Sequence, residues 1–301
     1  MPALQGKVAI VTGSGGGIGR SVAMAYAREG ARVAVNGRTA ANVDETVRLI
    51  TASGGHAVGV PGDVSQAADC ARLVSETAKH FGRIDVLVNN AAIAGSVAPL
   101  DKVESDEIAR TLEINVIGPM LMYQAVLPVM RKHAGASSRC KIIDVSSGAG
   151  RGWAGDLPVY RVSKAALLRL SNALAAQLQN EFVDVNTLDV LATTPMVVAL
   201  GKRDSEDPVL AARMRNRVSA QEPSADDNTP VFVWLASPKS DGITGRNFGW
   251  NMNVEDLDRL KPRLTNDARA LRIEMVGLDG IGMSEQARAY QDRVAARQRK
   301  Q

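Results

Sequence analysis

The sequence predicts a doubly wound α/β fold, a parallel sheet covered by helices on both faces, and two observations carry that expectation. Seven short apolar runs alternate with helix-length segments along most of the chain, and parallel neighbours require such crossovers. A cluster of glycines stands between the first run and the first helix-length segment. There, backbone N–H groups and a helix N-terminus accommodate an anion.

The elements follow in order. Residues 7–12 form the first apolar run, and it enters the loop Thr12-Gly13-Ser14-Gly15-Gly16-Gly17-Ile18-Gly19-Arg20. Residues 18–29 then carry helical periodicity, completing a strand, a loop and a helix. Further strands are expected at 32–36, 57–60, 84–89, 141–146, 183–189 and 242–249, with helices between them. A ligand is expected outside the carboxyl ends of these strands, near the switch in strand order. Residues 196–223 are charged and helix-compatible and read as a flap that closes over the site. Residues 1–253 thus read as one α/β domain, and 254–301 as a helical C-terminal extension broken by Gly277, Gly280 and Gly282. Three arrangements of the extension stay open: packing over the active site of its own or a neighbouring subunit, extending an oligomer interface, or lying on the surface.

Composition narrows the function classes. A chain of 301 residues, 45% hydrophobic and 23% charged, supplies a substantial core and excludes disorder. The residues before the first strand hold no apolar segment, so a soluble, cytoplasmic protein with no membrane span is expected. Cys70 and Cys140 are widely separated, and His56, His80 and His133 form no ligand pattern, so neither a disulfide nor a metal is indicated. The net charge of +4 is modest and the basic residues are interspersed with acids, so nucleic acid is not indicated.

The glycine loop points to a dinucleotide. Gly13 permits a tight turn, Gly17 a close backbone approach and Gly19 the packing of helix on strand. Ser14 and Ile18 complete the expected pyrophosphate cradle. At the end of the second strand the residues are Asn36-Gly37-Arg38, where an acid would select the ribose hydroxyl of NAD(H). The acid is absent, and the Arg38 guanidinium suits a 2'-phosphate. NADP(H) is therefore favoured, with NAD(H) the alternative.

Tyr160 and Lys164 stand four apart in Tyr160-Arg161-Val162-Ser163-Lys164, with Ser147 upstream at the end of an apolar run. On a helix, positions i and i+4 share a face. Bringing a tyrosine from its usual pKa of about 10 to neutrality takes about 4 kcal/mol. One cation about 4 Å away supplies roughly that much at an effective dielectric of about 20. A lone Tyr-x-x-x-Lys is a weak signal, usually a solvated helix face.

Its surroundings give it weight. From about residue 7 to 251 the chain resembles the short-chain dehydrogenase/reductase family, which has a Rossmann fold. Thr12, Gly13, Gly17 and Gly19 match the family's T-G-x-x-x-G-x-G, and Asn89-Asn90-Ala91-Ala92 is similar to its N-N-A-G. The resemblance implies that Asp63-Val64 meets the adenine and that Asn90 and Ala91 line the cofactor. It further implies that Asn115, Ser147, Tyr160 and Lys164 are the catalytic set. In that reading Tyr160 gives a proton to a carbonyl oxygen as hydride passes from the nicotinamide to the carbonyl carbon, and oxidation reverses both steps. Ser147 orients that oxygen, Lys164 holds the nicotinamide ribose and lowers the Tyr160 pKa, and Asn115 links Lys164 to solvent through water.

Two stretches depart from the family pattern. The usual Pro-Gly pair after the sixth strand is absent from Asp189-Val190-Leu191-Ala192-Thr193-Thr194-Pro195-Met196, which leaves Thr194 to meet the nicotinamide carboxamide. The residues after 253 exceed the family's usual length. A small-molecule carbonyl or secondary alcohol is the expected substrate, with Trp153 in the loop beside Ser147 available to stack on it. The resemblance also implies a homodimer or homotetramer through helices near 101–132 and 159–180. The competing reading is a catalytically idle dinucleotide-binding sensor or scaffold, which has no need of all four catalytic residues.

Overall fold

The computed structural model describes residues 1–151, 157–192, 196, 198, 224–267 and 270. Seven parallel strands form one sheet in the order β3-β2-β1-β4-β5-β6-β7. They are β1 (Val8–Val11), β2 (Arg32–Val35), β3 (His56–Gly59), β4 (Val86–Asn89), β5 (Cys140–Ser146), β6 (Val183–Asp189) and β7 (Asn247–Gly249). The helices between them are α1 (Gly17–Arg28), α2 (Ala40–Ala52), α3 (Ala67–Phe81), α4 (Ser105–Leu112), α5 (Gly118–Met130), α6 (Pro158–Gln177) and α7 (Thr229–Ala236), and α8 (Val254–Asn266) follows β7.

Side-chain alternation explains why the strands read as unbroken apolar runs. Ala9 and Val11 of β1 face one layer, with Val22 and Tyr26 of α1 and Phe232 and Trp234 of α7. Ile10 faces the other, with Leu73 of α3, Met122 and Val126 of α5 and Leu174 of α6. A strand covered on both faces has no polar side to show.

The last strand is shorter than the expected 242–249. Gly242 and Gly245 hold φ of +83° and +69°, a left-handed backbone that turns the chain and delays pairing with β6 until Asn247. The segment from Ser105 to Met130 is long and apolar enough to cross a membrane by composition. Here it is a core helix of the domain, with Met122, Tyr123, Val126 and Met130 buried.

The first part of the expected extension is α8. Leu257 and Leu264 join the buried cluster to which α1 and α7 also contribute, and Trp234 Nε1 donates to Asp258 Oδ1 at 2.7 Å. The buried Arg246 guanidinium donates to the carbonyls of Leu264 and Asp267 at 2.8 and 2.9 Å, satisfying the end of the helix. Residues 268, 269 and 271–301 lie outside the described residues.

Candidate active site

The strand order reverses between β1 and β4, and the carboxyl ends of these two strands open a crevice. One cleft runs along it, from Arg38 and Asn42 past the glycine loop and Asn90 to Tyr160 and Lys164. Its lining comes from the carboxyl ends of the six strands β1 to β6, a reach that suits an extended dinucleotide.

The glycine loop is built by close packing. Gly13 has φ of +63°, and a Cβ there would sit 2.8 Å from the Ala91 Cα. A Cβ on Gly19 would sit 2.5 Å from the Gly13 carbonyl oxygen, so α1 meets the loop only through glycine. Gly17 and Ile18 line the cleft with them. Ser14 turns away from it: its hydroxyl donates to the Val11 carbonyl at 2.6 Å and its N–H to the Asn36 carbonyl at 2.7 Å. Ser14 thus ties the loop to β1 and β2, a bracing role that its position inside the motif did not disclose.

Thr12 joins the two sides of the crevice. Its Oγ1 accepts the N–H groups of Asn90 and Ala91 at 3.0 and 3.1 Å. Asn90 Nδ2 donates back to the carbonyls of Thr12 and Gly13 at 2.8 and 3.2 Å. Asn90 and Ala91 both line the cleft, as do Asp63 and Val64. Partial burial raises the Asp63 carboxyl, but the Ser65 N–H and hydroxyl and the Arg110 guanidinium outweigh it and hold the group below the usual carboxylate range. At the far end Arg38 is exposed at the cleft mouth, next to Gly37, which has no side chain to occupy the space.

The other end carries the candidate chemistry. Tyr160 and Lys164 share one face of α6, with the Lys164 ammonium 5.6 Å from the centroid of the Tyr160 ring. Lys164 is buried, and its Nζ donates to the Val145 carbonyl of β5 at 2.8 Å. Burial pushes its pKa down to about 8, against the opposing pull of Asp144 and Asp189. Asp144 is buried too, its carboxylate accepting from Asn89, Tyr123 and Ser171 at 2.8, 2.6 and 2.5 Å. Burial raises the Asp144 pKa despite those bonds.

Asn115 lies in a single π-helical turn, Glu113–Ile117, between α4 and α5. Such turns redirect one side chain out of the regular helical ladder. Asn115 Oδ1 accepts the Ile93 N–H at 2.9 Å, while Nδ2 donates to the Ile93 carbonyl at 2.8 Å and to Ser163 Oγ at 3.0 Å. The asparagine therefore reaches the helix of Tyr160 and Lys164 through Ser163. Ser147 directly follows β5 and caps the next turn, its Oγ accepting the Ala149 N–H at 3.2 Å. The neighbouring Val145 and Ser146 line the cleft. Trp153 and Thr194 lie outside the described residues, as does the expected flap apart from Met196 and Val198.

Several site residues gave no motif signal. Asn42, Ile93 and Ile114 line the cleft, yet each is ordinary in its own stretch of sequence. Asp144 and Asp189 did leave a trace, a carboxylate inside or at the end of an apolar strand. Only the tertiary structure shows that both act on the same lysine.

Comparison with known proteins agrees with this geometry. The profile of the short chain dehydrogenase family matches residues 7–204. The chain is 39% identical over 245 residues to human dehydrogenase/reductase SDR family member 4, covering 80% of this chain and 85% of that one. It is 34% identical over 259 residues to a sorbitol dehydrogenase of Cereibacter sphaeroides, covering 81% and 96%. Among solved structures, a 3-ketoacyl-(acyl-carrier-protein) reductase of Brucella melitensis complexed with NADH is 30% identical. It superposes with a TM-score of 0.72 over 82% of this chain and 97% of that one. With the sheet order, the glycine cleft and the profile match in agreement, the chain belongs to the short-chain dehydrogenase/reductase family and is an NAD(P)-dependent oxidoreductase.

Proposed function

We propose that the enzyme interconverts a small-molecule ketone and its secondary alcohol, with Tyr160 as general acid and base and NADP(H) as the preferred cofactor. The 5.6 Å approach of the Lys164 ammonium to the Tyr160 ring at the end of the cleft carries this reading. When bound, the nicotinamide supplies or accepts the hydride. Tyr160 passes a proton between its hydroxyl and the substrate oxygen. Positive charge on Lys164 stabilises the phenolate, and the Val145 carbonyl fixes where that charge sits. Asn115 and Ser163 brace the face of α6 from behind, and Ser147 orients the substrate oxygen.

The NADP(H) preference rests on Arg38 beside Gly37 at the cleft mouth, with no carboxylate at the end of β2. The Brucella relative was solved with NADH, so NAD(H) is the competing outcome. Steady-state kcat/KM for NADPH and NADH across a panel of ketones and alcohols tests the proposal. The expected result is a higher kcat/KM with NADPH, falling about tenfold or more in Arg38→Ala, the worth of one charge-assisted contact. A clear NADH preference overturns the cofactor assignment.

The assembly we infer is a homodimer or homotetramer through α5 and α6, in the cytoplasm. Ile117, Met120 and Val162, on these helices and the π-turn, are 45%, 40% and 61% exposed, which supports burial against another copy. Light scattering of the purified enzyme tests it, a monomer being the adverse result.

A further inference from the structure

We propose that Asp189 is a positioning residue for Lys164: its buried carboxylate, shared with the Arg151 guanidinium, sets how much positive charge Lys164 holds beside Tyr160. The inference rests on the assignment of Tyr160 and Lys164 above.

Asp189 ends β6 and is the register partner of Ser146 at the end of β5. The residue before Ser146 is Val145, whose carbonyl receives the Lys164 ammonium at 2.8 Å. The carboxylate therefore stands one strand from the lysine, at the same level of the sheet. It is 5% exposed, so its charge is little screened by solvent. One oxygen, Oδ2, is ion-paired with Arg151, on the turn that follows Ser147. The other, Oδ1, is buried without a hydrogen-bond partner among the described residues, and so is the Ser146 hydroxyl. An ionised oxygen left unpaired in a protein interior is costly unless a nearby positive charge offsets it. Lys164 is the buried cation on that side.

The charges around Lys164 come from each element packed on it. Asp144 acts from β5 and Asp189 from β6, the two carboxylates that oppose the effect of burial on the ammonium. Tyr160 lies one turn away on α6, and Arg151 acts from the turn after β5 through its pairing with Asp189. The π-turn presents the neutral Asn115. Asp144 is already engaged by Asn89, Tyr123 and Ser171. The half-exposed Arg151 is different, because its guanidinium reaches Asp189 from the solvent-facing turn after Ser147. Its hold on Asp189 decides how much of that negative charge reaches the lysine.

The two partners have opposite signs, so their removal has opposite effects. Asp189→Asn takes a negative charge from Lys164 and lowers the pH at which it loses its proton. Arg151→Gln leaves Asp189 uncompensated and raises it. Each shift is on the order of one pH unit for a charge a few ångströms beyond contact at an effective dielectric of about 20. The experiment is an NMR titration of lysine side chains in the cofactor-free protein. Lys164 is assigned by the signal lost in Lys164→Met, and the titration runs in a Tyr160→Phe background that removes coupling to the phenol. Midpoints displaced in opposite directions support the proposal. Midpoints coinciding with the parent in both variants overturn it. If Asp189→Asn does not fold, Arg151→Gln, at a half-exposed guanidinium, decides alone by the sign of its shift. Kinetics keep the two readings apart: full turnover in Tyr160→Phe refutes the proton donor, whereas the lysine midpoints are read without any turnover.

Discussion

Lys164 and Val145 are joined by a hydrogen bond of 2.8 Å from the ammonium to a strand carbonyl, and that contact fixes the lysine against the sheet. The consequence is geometric. A flexible four-carbon side chain becomes a fixed charge beside the Tyr160 ring, and desolvation makes that charge easy to lose, with a pKa pushed down to about 8.

Replacing the proposed proton donor separates chemistry from binding. Tyr160→Phe keeps the ring and its place on α6 but has no proton to give. Turnover is expected to fall by about 10² to 10⁴, the usual worth of a positioned acid or base. Affinity for the nicotinamide cofactor, measured by calorimetry, stays within a few-fold of wild type.

Lys164 also gives folding stability a pH dependence. Its folded pKa of about 8 lies below the ordinary value of 10.5, so between these limits the unfolded chain binds more protons than the folded one. Stability contributed by this group therefore rises with pH across that window, by up to about 3 kcal/mol, and is lost as pH falls through it. Urea unfolding of wild type and Lys164→Met at the two ends of the window should show the rise in the first and its absence in the second.

The glycine loop divides into positions that tolerate a methyl group and positions that do not. Gly16 has φ of −175°, an ordinary extended backbone, and a Cβ there would meet nothing within 4 Å. Gly16→Ala is expected to fold with wild-type stability. Gly19→Ala would press a carbon against the Gly13 carbonyl at 2.5 Å. It is expected to cost about 1 to 3 kcal/mol and to weaken cofactor binding, as read by thermal unfolding with and without NADPH.

Arg246 anchors α8. Its guanidinium donates to two carbonyls at the end of that helix, so Arg246→Met leaves buried acceptors without donors. The expected destabilisation is about 1 to 3 kcal/mol, read as a lower unfolding midpoint, while kcat stays near wild type because no residue of α8 lines the cleft. An unchanged midpoint would show that α8 contributes little to the domain.

The sheet was legible because burial on both faces demands unbroken apolar runs, and β6 matches its expected span of 183–189. Elsewhere the edges moved for local reasons. β4 begins at Val86, after Asp85, whose carboxylate accepts the Val8 N–H at 2.9 Å. β7 waits for Asn247 because two glycines turn the chain before it. The π-turn at Asn115 carries no sequence mark, since it differs from a helix only by one extra residue in the hydrogen-bonded ring.

By itself the sequence determined what depends on spacing along the chain: the alternating layers, the glycine loop after the first strand, and the Tyr160 and Lys164 pair on one helix face. The tertiary structure decided what depends on contact between distant segments. It turned Ser14 from the cleft into a brace, tied Asn115 to Ser163, and brought Asp144 and Asp189 to bear on one buried ammonium. The physical reason is that helical and strand periodicity are local, whereas a carboxylate acts on a lysine through distance and burial, which only the packed sheet defines.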